Sequence, residues 1–316
     1  MDEWKLFGAT RTVTRVAAID CGTNSIRLLI ADVGREGFRE ITREMEIVRL
    51  GQGVDQKKSF HPEAIERTLK ATAKFSQEIA RRGVEKIRFC ATSATRDAAN
   101  RDLFIDGVKG ILGIEPEVIS GEEEARLSFM GATQELKGVG APYLVIDIGG
   151  GSTEFVFGSS MVEFAKSQNI GCVRMSERHF TSIPPQKSEI ESATADIDAA
   201  IVDASTVVPI TKATTVIAVA GTATTVAAAA LELESYDRYS IHLSRISADK
   251  SAHIARQFLS MQREEIAALP FMHPGRVDVI GAGSLVLSRI LHFAKVDEYV
   301  ASESDILDGM AWSLVD

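Results

Sequence analysis

The chain has 316 residues, enough for two domains at about 150 residues each. Its 45% hydrophobic and 25% charged content is that of a globular protein and excludes disorder, collagen and coiled coil as its main theme. Lys and Arg number 35 against 44 Asp and Glu, a net charge of −9, which argues against nucleic acid or a membrane surface as partner and leaves any polyanion to be held locally by arginine, backbone N–H groups or a metal ion.

Residues 1–13 show no period and are expected to form an extension outside the fold; with two acids and no apolar stretch they do not resemble a signal peptide. Residues 16–19 predict a buried strand, 20–25 a turn and 26–33 a second strand, with further strand near 41–50 and a polar loop at 51–55. A helix opens with Pro62 in its first turn and stops at Gly83, with Ile65, Leu69, Phe75 and Ile79 near one stripe. Strand 86–91 follows, then a helix capped by Asn100 and a short strand at 117–119. Ser120 and Glu123 predict a capping box for the next helix. Gly138 and Gly140 mark a break, so the boundary is set within 135–142, giving domains 1–136 and 137–301. The second half opens with a strand at 143–146. A helix from Ser188, with Glu191 completing a capping box, a strand at 216–219, helices at 248–260 and 276–293 and a strand at 296–301 follow, and a helix within 302–316 is expected to pack back on the first domain. The uncharged run Ala213–Leu231 is long enough to span a bilayer, but its threonines, Gly221 and alanines predict a strand, a loop and a small-residue helix instead. Strands alternating with helices predict an α/β class. Cys21, Cys90 and Cys172 form no CxxC pair, so neither a disulfide framework nor a zinc site is expected, and a reducing cytoplasm is.

An internal repeat carries the functional signal. Ile19-Asp-Cys-Gly-Thr-Asn-Ser25 matches Ile146-Asp-Ile-Gly-Gly-Gly-Ser152, with Asp20 on Asp147, Gly22 on Gly149 and Ser25 on Ser152, an offset of 147 − 20 = 127 residues. Each copy is a strand ending in Asp, a Gly/Ser/Thr turn and a returning strand. Two such hairpins facing one cleft would cradle phosphates on backbone N–H groups: Asn24, Ser25, Gly149, Gly150, Gly151 and Ser152 are the candidates. Asp20 and Asp147 could bind Mg²⁺ directly or through water. Arg96, in the loop after FCATSAT, offers a bidentate fork suited to phosphate.

The segments AAIDCGTNSIRLLIADV, ISGEEEARLSFMGA and LVIDIGGGSTEFVFG resemble the exopolyphosphatase and guanosine pentaphosphate phosphohydrolase family, within the actin, sugar kinase and heat-shock ATPase superfamily. The resemblance runs from about Arg15 to the C-terminus. It implies two ribonuclease H-like domains with the active site between them, in the short form, since no His is followed by Asp as in the helical module of longer members. It further implies that Glu124, the last acid of SGEEEAR, is the general base activating water, that Asp147 and Glu154 serve the metal or active site, that Arg96 binds phosphate, and that the protein pairs as a homodimer. A helix N-terminus would depress the Glu124 pKa, so substrate phosphates are expected to raise it. The segment Ala218–Thr225 resembles the superfamily's adenosine-binding stretch and reads equally as a tightly packed small-residue helix. Three functions stay open: removal of terminal phosphate from inorganic polyphosphate, the same chemistry on guanosine pentaphosphate (pppGpp), and an actin-like ATP-binding switch or kinase.

Overall fold

The computed structural model describes residues 13–34, 37–136 and 140–315; the expected extension thus lies, but for Val13, outside the described residues. The first half opens as an antiparallel meander, β1 (Thr14–Cys21), β2 (Ser25–Gly34) and β3 (Gly37–Ile47). It continues through the single turn α1 (Val54–Lys57), which overlaps the stretch 51–55 expected as loop, to α2 (Pro62–Arg82), β4 (Lys86–Ala91), α3 (Ser93–Asp97), α4 (Arg101–Leu112), β5 (Glu117–Val118) and α5 (Gly121–Thr133). The second half repeats the plan with β6 (Tyr143–Ile148), β7 (Thr153–Gly158) and β8 (Val162–Gln168), then α6 (Cys172–His179), α7 (Lys187–Ser205), β9 (Thr215–Val219), α8 (Ala220–Ala230), α9 (Arg238–Ile241), β10 (Arg245–Ser247), α10 (Ala248–Ser260), α11 (Arg263–Ala267), α12 (Ile280–Ala294), β11 (Glu298–Ala301) and α13 (Ile306–Trp312).

The strand orders show that the repeat is architectural. The first sheet runs β3-β2-β1-β4-β5; the second runs β8-β7-β6-β9-β11 and adds β10 at its edge. In both, the first three strands are antiparallel and the next two parallel to the first, the ribonuclease H-like arrangement. β1 and β6 are central and almost wholly buried, which is why they read as unbroken apolar runs. One face of the first sheet packs on α2 and α4 through Phe75, Phe89 and Phe104. Its other face packs on α5 and α13 through Leu127, Ile306, Leu307 and Met310. α5 also lies on the second sheet, where Ala125, Phe129 and Ala132 meet Val145, Val156 and Ile217. The helix holding Glu124 is therefore wedged between both sheets.

Local details refine several expectations. Pro62 begins α2 and Gly83 ends it in the left-handed region at φ 64°. The Ser120 side chain accepts from Glu123 N at 3.2 Å, but the return bond of a capping box is missing, because Glu123 is drawn to Arg88 and Arg126. Asn100 precedes α4 without capping it; its amide instead pairs with both backbone groups of Phe60. The capping box of α7 lies two residues earlier than expected, on Gln186 and Glu189 rather than Ser188 and Glu191. The run Ala213–Leu231 divides into β9 and α8, and among the described residues no helix is long and apolar enough to cross a membrane.

Candidate active site

The two hairpin turns meet across a cavity of about 100 Å³. Each closes with the same bond: Gly22 N donates to Ser25 O at 2.9 Å, and Gly149 N to Ser152 O at 3.0 Å. The carbonyls of both turns are taken up behind the cavity. Thr23 O accepts from Gly51 N, and Asn24 O from Val48 and Arg49 N. Gly149 O accepts from Cys172 N, Gly150 O from Val173 and Arg174 N, and Gly151 O from Gly171 N. With their carbonyls so anchored, the turns keep their remaining N–H groups for a ligand, as anion-binding nests require, but the N–H of Gly149, expected to hold phosphate, is spent on Ser152 O like that of Gly22 on Ser25 O. Glycine is needed at the second turn because the halves touch there. A Cβ on Gly151 would stand 2.5 Å from Ser93 Oγ and 2.6 Å from Thr23 Oγ1.

Asp20, Asn24, Ser25, Glu124, Asp147, Gly149, Gly150, Gly151 and Ser152 line this cavity together, joined by Thr92, Ser93 and Arg276. Arg96 and Glu154 do not line it. The Arg96 guanidinium donates to Glu124 Oε2 at 2.7 Å and to Ile119 O at 3.0 Å. Glu154 is fully buried opposite Asp147 on the neighbouring strand and accepts from Ser167 Oγ at 2.7 Å.

The repeat aligns these cross-strand pairs. Asp20 stands opposite Arg27, and Asp147 opposite Glu154, at positions again 127 apart, since 154 − 27 = 127. The first half pairs acid with base: Arg27 holds Asp20 Oδ2 at 2.7 Å and also bonds Asp305 at the head of α13. The second half pairs acid with acid. Burial pushes Asp147 up to about 7, with the charges of Asp305 and Glu124 adding to the rise and a hydrogen bond from Ser128 opposing it. Burial also raises Glu154 well above the carboxylate range, with Glu124 and Asp147 contributing. Burial raises Glu124 itself, against the opposing pull of Arg96. This overturns the expectation that a helix N-terminus leaves Glu124 depressed until phosphate arrives: enclosure between the sheets outweighs the dipole.

Among the described residues no three of His, Cys, Asp or Glu are grouped so as to hold a metal ion, and Asp20, Asp147 and Glu154 form no such cage. Asp20 Oδ1 and Glu154 Oε2 are buried without a partner, and Asp20 lines the cavity. That donor set fits an ion held by one or two carboxylates and completed by phosphate oxygens and water, the habit of Mg²⁺. Arg27, Ser128, Asp305 and Arg276 escaped sequence reasoning. Arg27 has a signal in retrospect, the position that pairs across the hairpin with Asp20; Arg276 arrives from a distant loop with none.

A model described as the Ppx/GppA phosphatase family matches residues 29–316. Exopolyphosphatase 2 of Mycobacterium tuberculosis is 45% identical over 315 residues, covering 96% of this chain and 99% of that protein. The crystal structure of an exopolyphosphatase-like protein superposes with a TM-score of 0.93 at 44% identity, covering 96% of this chain and 98% of its own. A guanosine-5'-triphosphate,3'-diphosphate pyrophosphatase of Vibrio atlanticus is 29% identical over 306 residues, 95% of this chain and 59% of that protein. The repeated hairpins, the SGEEEAR helix between the sheets and these matches agree: this chain belongs to the Ppx/GppA phosphatase family.

Proposed function

We propose that the protein is an exopolyphosphatase, a hydrolase of phosphoric anhydrides that removes the terminal phosphate of inorganic polyphosphate. The observation that carries this reading is Glu124: a buried carboxylate with a raised pKa, held by Arg96, on the wall of a cavity whose two turns present phosphate-binding edges. In the proposed reaction the turns containing Asn24 and Gly149–Ser152 hold the terminal phosphates, and Glu124 accepts a proton from the attacking water. The water oxygen bonds to the terminal phosphorus and the bridging P–O bond breaks. Its electron pair leaves with a polyphosphate one unit shorter, and orthophosphate is released. Mg²⁺, carried by Asp20 or Asp147, would neutralise charge on the phosphates. Glu154, buried behind Asp147 and outside the cavity lining, is given no contact with substrate in this reaction. A cytoplasmic location accords with three buried, unpaired thiols, and a homodimer is part of the same reading, measurable by light scattering.

The test is phosphate release from polyphosphate by wild type and Glu124→Gln. A loss of about 10²–10⁴-fold is expected for removal of a general base; undiminished release would sink the assignment. A second reading, hydrolysis of pppGpp, is favoured by a cavity of about 330 Å³ that adjoins the first and contains the Tyr236 ring beneath the Arg276 guanidinium. Parallel kinetics on polyphosphates of several lengths and on pppGpp decide between them.

A further inference from the structure

The geometry points to Arg174 as a positioning residue that brings the glycine-rich turn of the second half into register with the first half, so that closure of the cleft and assembly of the phosphate cradle are one event. This rests on the phosphohydrolase reading above.

Arg174 lies in the first turn of α6, directly behind Gly149–Ser152, and is buried. Its guanidinium is divided between the halves. On its own side, Nε donates to Gly151 O at 2.7 Å. On the other side, Nη1 bonds Asp55, while Nη2 bonds Asp97 Oδ2 at 2.6 Å and Ser93 Oγ at 3.4 Å. Ser93 lines the phosphate cavity, whereas Arg174 does not. Asp97 closes α3, whose first residue is Ser93, so the same short helix joins the Arg174 anchor to the cavity wall.

The same face of α6 repeats the theme one turn on. Glu177 accepts from Gly53 N at 3.2 Å, and Arg178 reaches Asp55 at 3.3 Å. These outer contacts are partly exposed and replaceable by water. The Arg174 guanidinium is itself buried, with its two carboxylate partners partly exposed, and a planar fork with a third donor at Nε is the group that can meet two carboxylates and a carbonyl at once. Were the halves to part, Arg174 would lose Asp55, Asp97 and Ser93 together and keep only its bond to Gly151 O. The turn that must align the terminal phosphate for in-line attack would then be tied to the second half alone. A phosphate chain that draws the halves together re-forms the fork, and the turn is set at the moment the site shuts.

The experiment compares Arg174→Lys and the double variant Asp55→Asn/Asp97→Asn with wild type, so that the inference remains testable if the Arg174 variant misfolds. Steady-state phosphate release from polyphosphate gives kcat and KM, and small-angle scattering with and without an imido-bridged triphosphate reads closure. Expected is a fall in kcat of about a hundredfold with KM within about threefold, together with loss of the compaction that wild type shows. Two results would overturn the inference: kcat and compaction both retained in the variants, or KM raised with kcat unchanged, which would make Arg174 a source of uniform binding. If wild type releases no phosphate, the functional reading fails, while scattering with the triphosphate analogue still decides the role of Arg174.

Discussion

At the residue scale, of the several equivalent positions at which the two copies of the hairpin differ, Arg27 and Glu154 are the pair that changes charge beside the shared Asp. Arg27 neutralises Asp20, whereas Glu154 loads a second buried carboxyl beside Asp147. Arg96 is the cation closest to the proposed base, so its removal has a defined sign. It pulls the Glu124 pKa down against burial; in Arg96→Ala the pKa rises further, and the acid limb of the kcat/KM profile moves to higher pH. A role limited to phosphate binding would raise KM and leave the limb in place. Glu154→Gln removes a buried group whose ionisation the fold opposes. It should stabilise the substrate-free protein at alkaline pH, by about 1–3 kcal/mol in urea unfolding. A loss of stability at alkaline pH would contradict this account.

At the scale of elements, the crossing of α5 and α13 is the contact on which Glu124 depends. The helices meet at two glycines: a Cβ on Gly131 would fall 1.8 Å from Asp305 O, and one on Gly309 would fall 2.0 Å from Leu127 O. Gly309→Ala should destabilise by about 3 kcal/mol despite the better helix propensity of alanine, because backbone must move to admit the methyl. Denaturant midpoints check the sign. The sequence made the central strands, α2 with its Pro62 and Gly83 boundaries, and the repeated hairpins legible, because apolar runs and turn chemistry are local. It could not show the α5–α13 crossing, whose only trace is two glycines 178 positions apart (309 − 131), or the fork of Arg174, whose carboxylate partners come from the short helices α1 and α3 of the other half. Capping boxes were misplaced by two residues or half formed for a related reason: Ser, Gln and Glu occur close together, and long-range partners such as Arg88 decide which bond is made.

At the scale of the whole molecule, buried acids give the stability curve an unusual slope. The folded pKa of Asp147 lies near 7, above its ordinary 3.8. Its contribution is therefore fully present below about pH 4 and is lost as pH rises through about 7, and Glu154, raised further, extends the loss upward. Paired acids such as Asp32 and Asp55, held low by their arginines, act oppositely and lose their contribution only in acid. The substrate-free protein should thus be more stable near pH 5.5 than near pH 8, and Glu154→Gln should flatten the difference; a wild-type optimum above pH 8 would contradict this. Charge also bears on substrate length. Around the adjoining cavity Arg27, Arg43 and Arg238 are each committed to Asp305, Asp308 or Glu40, so among the described residues lining it these three do not add to Arg276 as free positive charge for a long chain. Short polyphosphate should be preferred, with intermediate lengths released. A product ladder in which long chains vanish without intermediates would oppose this.

The position of α13 has a consequence for how the chain comes off the ribosome. Residues 306–311 complete one face of the sheet begun by residues 14–34, against Val16, Ala18 and Leu29. Vectorial synthesis delivers them after the second half, so the first sheet must wait, with that apolar face uncovered, until nearly all of the second half has emerged. Folding intermediates stalled before α13 are the species expected to recruit chaperones.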